Sequence, residues 1–181
     1  MTPIIAIRPV QPDMLDTLVV LEQQTFTETF RHIYSRENLE AFLNDKKSPD
    51  ALKRELLKED ARYYICYYNE APAGFLKLNI NKQPDDKAGT ILPTPVVELE
   101  KIYVLQAFQG FKLGKALIHY AYNVAMEQQA KYIWLGVWEH NTKARDFYER
   151  EGFERFGEHS FMVGSQQDTD LLYKKAIQIT Y

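Results

Sequence analysis

The sequence predicts a mixed α/β fold whose central sheet is largely antiparallel and includes one parallel pair of strands. Two β-rich segments, residues 62–68 and 73–80, flank a short polar turn and are typical of an antiparallel hairpin. From residue 98 onward, strand, helix, strand, helix and strand follow one another. A strand–helix–strand unit with the usual right-handed crossover places residues 99–104 parallel to residues 132–137.

Hydrophobic periodicity assigns the other elements in chain order. An apolar stretch near the N-terminus predicts a first strand, and apolar residues at helical spacing predict the helices. A polar, proline-bearing stretch at residues 81–95 predicts a loop. The first strand is predicted over residues 4–8, and the helices over residues 13–30, 36–43, 50–58 and 113–129, with a further helix that begins after Asn141.

The length and composition favour a single globular domain, residues 1–181. A chain of 181 residues buries about 70% of its unfolded surface without disulfides or metal, and one cysteine, Cys66, excludes an internal disulfide. No stretch resembles a secretory signal or a membrane span, so we expect a cytoplasmic protein without a membrane partner. The net charge of −3 argues against direct nucleic-acid binding. The four histidines are scattered and predict no metal site, and the oligomeric state, a homodimer included, stays open.

Residues 104–117 carry a glycine-bearing turn between a strand and a helix. Such a turn leaves backbone N–H groups unpaired at the positive end of the helix dipole, and Gly110 and Gly114 let a ligand approach the backbone. Lys112 and Lys115 add positive charge. The glycine spacing argues against both a nucleotide-triphosphate P-loop and a dinucleotide fingerprint. From these residues alone, a phosphate cradle and an ordinary strand–turn–helix both stay open.

A second pattern lies in residues 141–153, which read Asn-x-x-Ala-x-x-Phe-Tyr-x-x-x-Gly-Phe. Asn141 is a favoured helix N-cap, and Gly152 is placed to end the helix in a left-handed conformation. Together with Gln109 and Gly114 of the glycine-bearing turn, this pattern resembles the Gcn5-related N-acetyltransferase (GNAT) superfamily over residues 98–156.

The resemblance implies the GNAT fold, with helices on both faces of a mixed, mostly antiparallel sheet that splays apart between two parallel strands. It also implies acetyl-CoA as cosubstrate, with the pantetheine arm in the gap between those strands. Lys112 stands where the family motif has glycine, and we expect an ordinary helical φ there, with an amide that points inward. The residues implied to contact acetyl-CoA are Ile102, Tyr103, Val104, Gln109, Gly110, Phe111, Lys112, Leu113, Gly114, Lys115, Asn141 and Tyr148.

Acetyl transfer to an amine poses two proton problems, because the amine is mostly protonated at neutral pH and the sulfur leaves as a thiolate. Glu98 and Glu100 alternate along one strand and share a face. They are candidates for the base, for anchors of substrate ammonium groups, or for ordinary surface polarity. Tyr148 matches the position at which the family commonly places the acid for the thiolate, and a core aromatic is the alternative.

Four further stretches resemble the PaiA-type polyamine N-acetyltransferases. They are residues 27–30, 134–141, 157–161 and 168–172. This resemblance implies a polyamine such as spermidine or spermine as the acceptor. Two alternatives stay open, namely a regulator that senses acetyl-CoA or polyamine without turnover, and an acetyltransferase for protein N-termini or another small amine.

Overall fold

A seven-stranded mixed sheet organises the chain, and the computed structural model describes residues 2–178. The strands are Ile5–Pro9 (β1), Ala61–Tyr68 (β2), Ala71–Ile80 (β3), Val96–Val104 (β4), Tyr132–Trp138 (β5), Glu154–Val163 (β6) and Gln166–Ala176 (β7). The α-helices are Leu15–Phe30 (α1), Arg36–Lys46 (α2), Pro49–Leu56 (α3), Leu113–Glu127 (α4) and Thr142–Arg150 (α5). Across the sheet the strand order is β1-β2-β3-β4-β5-β7-β6.

The first four strands pair antiparallel in chain order, which confirms the predicted hairpin. Asn69 and Glu70 connect β2 to β3 with positive φ values of 47° and 65°. Two consecutive residues with positive φ are typical of the tight turns whose twist matches that of the flanking strands. The turn sets the pairing of Tyr68 with Ala71, and a register shift between Cys66 and Tyr67 then sets the pairing of the remaining residues.

A β-bulge interrupts β4 at Glu100. Leu99 pairs with Leu78 of β3 and Lys101 pairs with Lys77, so Glu100 is the extra residue on β4. A bulge bends its strand and increases the local twist. β4 therefore changes direction in the middle of the sheet.

The parallel contact between β4 and β5 is shorter than predicted and lies earlier in β4. Val96, Val97 and Glu98 pair with the first three residues of β5, whereas the sequence placed residues 99–104 beside residues 132–137. The predicted register is wrong because the bulge turns β4 away after Glu98, while β5 continues beside β7. The two parallel strands diverge toward their C-terminal ends and leave a gap.

Two strands follow α5 where the sequence predicts one. β6 and β7 form an antiparallel hairpin, and β7 inserts between β5 and β6. The short turn between them contains Gly164 with a φ of 58°. This hairpin brings residues 168–172 beside β5.

Helices cover both faces of the sheet, as expected. Leu117 of α4 and Tyr148 of α5 belong to the core on one face, here called the α4 face. Leu18 of α1 and Leu52 of α3 belong to the core on the other, here called the α1 face. Within residues 2–178, no helix is long and apolar enough to cross a membrane.

Candidate active site

A cavity of about 670 Å³, here called the large cavity, lies between the end of β4 and helix α5. Its walls are the end of β4, the connection to α4, the first turn of α4, one side of α5, and Glu28 and Thr29 of α1. Of the residues implied to contact acetyl-CoA, only Phe111 does not line it; its ring centroid lies 4.9 Å from that of Tyr68. The implied residues that line it are Ile102, Tyr103, Val104, Gln109, Gly110, Lys112, Leu113, Gly114, Lys115, Asn141 and Tyr148.

The start of α4 differs from expectation at Lys112, whose φ is +63° rather than helical. The expectation was wrong because Lys112 is the N-cap that precedes α4, and a left-handed residue there turns the chain into the helix. Its carbonyl oxygen accepts the N–H of Ala116 at 3.1 Å. The amides of residues 113–115 have no acceptor within the helix, so they can bind an anion.

Four basic side chains line the large cavity, namely Lys112, Lys115, Lys143 and Arg150. Lys143 Nζ donates to Gln109 Oε1 at 3.0 Å, so a cation of α5 lies beside the glycine-bearing turn. The sequence reasoning missed Lys143 and Arg150, although their i, i+7 spacing places both on one side of a helix. Their charge suits a ligand that carries several phosphate groups.

A smaller cavity of about 140 Å³ adjoins the large cavity and shares five lining residues with it, Ile102, Tyr103, Asn141, Ala144 and Tyr148. It is here called the small cavity. Most of its wall is apolar or aromatic, and two carboxylates line it. The aromatic residues of its wall are Phe26, Phe30, Tyr103, Trp138, Tyr148 and Phe161, and the carboxylates are Glu100 and Asp170.

Glu98 and Glu100 both reach Asn79, but only Glu100 lines the small cavity. Asn79 Nδ2 donates to Glu98 Oε2 at 2.5 Å and to Glu100 Oε2 at 2.9 Å. Burial raises the pKa of Glu98, which also pairs with Lys82 at 2.9 Å. Burial alone would raise the pKa of Glu100 too, but its ion pair with Lys77 helps to hold that pKa at about 2. Glu100 is therefore a stable anion at neutral pH.

Tyr148 is 7% exposed and lies where the two cavities meet. Its ring packs edge-on against Phe147 and Phe153, with centroids 5.4 Å and 5.7 Å away. Asn141 caps the same helix by accepting the N–H of Ala144 at 3.2 Å, as predicted. Burial raises the pKa of Tyr148, so its hydroxyl keeps its proton at neutral pH and can donate it.

Asp170 is a site residue that the sequence reasoning missed. It lies on β7, opposite Trp138 of β5 and His159 of β6. Burial raises the pKa of Asp170 to about 7, and the charge of Asp168 contributes to the increase. The place of Asp170 in the cavity depends on the pairing of β7 with β5, which residues near it in sequence do not specify. An aspartate directly before the apolar pair at 171–172 was the signal available in the sequence.

A cluster of buried charged residues lies on the α1 face next to Glu100. Glu22 of α1 is fully buried and pairs with Lys47 and, at 2.6 Å, with Lys101. Tyr63 Oη donates to Glu22 Oε1 at 3.4 Å. Burial alone would raise the pKa of Glu22, but the two lysines outweigh it and lower that pKa. We refer to Glu22, Lys47 and Lys101 as the buried triad.

One group of side chains in the described part of the chain brings potential metal ligands together. Single ligand atoms of Glu139, His140 and Asp168 lie within 4.8 Å of one another. His140 is exposed, and Asp168 Oδ2 accepts a hydrogen bond from Tyr34 Oη at 3.0 Å. Since exposed acidic groups often cluster without a metal, this arrangement assigns no metal to the site.

The sequence matches the family model described as acetyltransferase (GNAT) family over residues 21–153. An N-acetyltransferase of Lactobacillus delbrueckii subsp. lactis, described as uncharacterized, is 34% identical over 163 residues, which cover 90% of this chain and 92% of that protein. A spermidine N(1)-acetyltransferase of Thermoplasma acidophilum is 24% identical over 156 residues, which cover 83% of this chain and 88% of that protein.

The fold is also similar to that of a solved structure. The crystal structure of the PaiA N-acetyltransferase from Thermoplasma acidophilum in complex with coenzyme A superposes with a TM-score of 0.75. The superposition covers 97% of this chain and 99% of that chain at 21% identity. At this level of identity the similarity concerns the fold.

Proposed function

The chain belongs to the acetyltransferase (GNAT) family and is an N-acetyltransferase, and we propose that it transfers the acetyl group of acetyl-CoA to a polyamine such as spermidine. The observation that carries this proposal is the meeting of two unlike cavities at Tyr148. The large cavity is lined by four basic side chains and one carboxylate, Glu28, and suits a cosubstrate with several phosphates. The small cavity is aromatic and acidic and suits a cationic amine.

The large cavity fits acetyl-CoA, which supplies an acyl thioester, a pantetheine arm and phosphate groups. Four basic side chains line this cavity beside the free amides of α4 and can bind the phosphates, and among residues 2–178 no residue distant in sequence lies within 4 Å of the position a Cβ would take at Gly110 or Gly114. Each charge-assisted hydrogen bond contributes roughly 1.5–3 kcal/mol. Beyond Glu98, β4 has β3 as its strand partner, so its other edge is free to bind the pantetheine amides.

The small cavity supports a polyamine acceptor. Glu100 is an anion there and can anchor an ammonium group, and the cavity is also lined by Trp138 and Phe161, aromatic side chains of the kind that bind cations. Glu98 lies outside the cavity and supports Glu100 through their shared hydrogen-bond donor, Asn79. The spermidine acetyltransferase among the relatives points to the same acceptor class.

Tyr148 is the acid in this proposal. The thioester carbon of acetyl-CoA has to meet the acceptor nitrogen where the two cavities join, and Tyr148 lines both cavities. Because its hydroxyl keeps its proton at neutral pH, Tyr148 can protonate the sulfur as the carbon–sulfur bond breaks. Asn141 positions Tyr148 by capping the helix that carries it.

Release of free thiol from acetyl-CoA over a panel of amines tests the proposal. The panel contains spermidine, spermine, a small monoamine and a peptide with a free N-terminus. We expect the highest kcat/KM with spermidine or spermine, and no effect of a chelator, because no proposed step uses a metal. Faster turnover of the peptide or the monoamine would contradict the polyamine acceptor. Binding of acetyl-CoA without thiol release from any amine would favour a sensing role.

A pair of lysine variants tests the assignment of the large cavity. Lys115→Gln removes a cation that lines this cavity, and we expect acetyl-CoA to bind about tenfold more weakly, the loss of one charge-assisted contact. Lys53→Gln is the matched control, since Lys53 is exposed on α3 and lines neither cavity. Calorimetric titration measures both dissociation constants. Equal constants for the two variants would place the phosphates elsewhere.

A further inference from the structure

Asp170 lies in the small cavity without a lysine or arginine paired to it among residues 2–178. Its basic neighbour is His159 of β6, whose Nε2 lies 3.8 Å from Asp170 Oδ2. Glu100, the other carboxylate of the cavity, is held by Lys77 and Asn79. An ion-paired carboxylate resists protonation, so Glu100 and Asp170 differ in their ability to accept a proton.

A missing side chain at Gly136 makes room for the Asp170 carboxyl. A Cβ at Gly136 would lie 3.3 Å from Asp170 Oδ2 and 3.4 Å from His159 Cε1. Gly136 and Trp138 share a face of β5, and both line the small cavity together with Asp170. The carboxyl therefore occupies sheet surface that any larger residue at position 136 would crowd.

Asp170 is more readily protonated than an exposed aspartate, because its surroundings disfavour the charged carboxylate. Burial raises its pKa to about 7, with Asp168 contributing, and a base is most effective when its pKa is close to the working pH. Burial also lowers the pKa of His159, so this imidazole is neutral at pH 7 and does not restore a low pKa to Asp170. The ionisable groups around Asp170 are Tyr34 after α1, Glu100 and Tyr103 on β4, Tyr148 on α5, His159 on β6 and Asp168 on β7.

We propose that Asp170 is the general base of acetyl transfer, the group that takes a proton from the acceptor ammonium before the nitrogen attacks. This inference rests on the proposed function, because it assigns a role within that reaction. It gives Asp170 the role for which the sequence offered Glu98 and Glu100. Glu100 keeps the role of an anionic anchor.

Asp170 and Tyr148 each carry one proton during the reaction. The Asp170 carboxylate takes one proton from the ammonium group, and the neutral nitrogen forms a bond to the thioester carbon. When the carbon–sulfur bond breaks, the sulfur takes the proton of Tyr148. The proton left on the new amide nitrogen returns to the Tyr148 oxygen, and Asp170 releases its proton to solvent. The products are an N-acetylated amine, a free thiol and one proton.

The pH dependence of kcat/KM for spermidine tests this assignment in the full chain. For the native enzyme we expect kcat/KM to decline below a midpoint near pH 7, where Asp170 becomes protonated. Asp170→Asn should be about 10²- to 10⁴-fold slower at pH 7 and should gain about tenfold per pH unit as neutral amine accumulates. Asp170→Glu keeps a carboxylate and should keep the acidic decline. Asp168→Asn is the matched control, since Asp168 lies on the same strand outside the small cavity; it should keep the decline with its midpoint at lower pH.

A titration that needs no turnover accompanies the kinetics. Carbon-13 NMR of the side-chain carboxyls, assigned by the signal lost in Asp170→Asn, should give a midpoint near pH 7 for Asp170. A midpoint below about pH 5, close to that of an ordinary aspartate, would overturn the assignment. The assignment would also be overturned if kcat/KM of Asp170→Asn declined at acidic pH as it does in the native enzyme. The acetyltransferase function would be unaffected by that result. No thiol release by the native enzyme with any amine would overturn both the function and the base.

Discussion

The two carboxylates of the small cavity should affect stability with opposite sign. The pKa of Asp170 is about 7 in the folded chain and about 3.9 when unfolded, so ionisation above pH 7 disfavours folding by up to about 4 kcal/mol. This contribution is absent below pH 3.9 and develops as the pH rises to 7. The pKa of Glu100 is about 2 in the folded chain and about 4.3 when unfolded, so its ionisation favours folding by up to about 3 kcal/mol above pH 4.3. That stabilisation is lost as the pH falls toward 2.

Urea unfolding of the native chain, Asp170→Asn and Glu100→Gln from pH 5 to pH 8 measures these contributions. Relative to the native chain, Asp170→Asn should gain about 3 kcal/mol across this range, which corresponds to roughly 6–12 °C in Tm for a chain of this size. Glu100→Gln should be less stable than the native chain by a nearly constant amount, because Glu100 is ionised throughout this pH range and its stabilisation changes only below about pH 4.3. A stability difference for Asp170→Asn that does not change between pH 5 and pH 8 would refute the raised pKa.

Two further substitutions test the acid and the buried triad. Tyr148→Phe should keep the fold and the affinity for acetyl-CoA but slow kcat by about 10²- to 10⁴-fold, because only a hydroxyl is lost; a decrease explained by weaker acetyl-CoA binding alone would assign Tyr148 to positioning. Glu22→Ala should lower the free energy of unfolding by roughly 3–5 kcal/mol, because Lys47 and Lys101 lose their buried partner. Arg36→Ala is the control, because it breaks the exposed ion pair between Arg36 and Glu40; the urea concentration at its unfolding midpoint should not change.

Local patterns predicted the parts of the site that depend on neighbours in sequence. Asn141 caps α5, and Gly152 has a φ of +88°, as the 141–153 pattern implies. Glu98 and Glu100 share a face, as alternation along a strand requires. Each of these features is set by a few adjacent residues, so periodicity and cap preferences are enough to find it.

Features that depend on distant contacts were not predicted. Asp170 enters the small cavity only because β7 inserts between β5 and β6, and nothing near Asp170 in sequence specifies that order. Glu22 looks like a solvent-facing residue of a helix until Lys47 and Lys101 are placed against it. At Lys112 the steric cost of a positive φ argued for a helical residue, and the geometry of the turn outweighed that cost.

The bulge at Glu100 places two consecutive side chains on one face of the sheet. Glu100 pairs with Lys77 and Lys101 reaches Glu22, both on the α1 face, while Ile102 packs into the core on the α4 face. Deleting Glu100 would leave Lys101 opposite Lys77 in a regular ladder, so the residues that follow would keep their faces. The small cavity would lose its anionic anchor, and β4 would lose the bend that turns it away from β5. Deleting a residue after the bulge would instead exchange the faces of the residues that follow it.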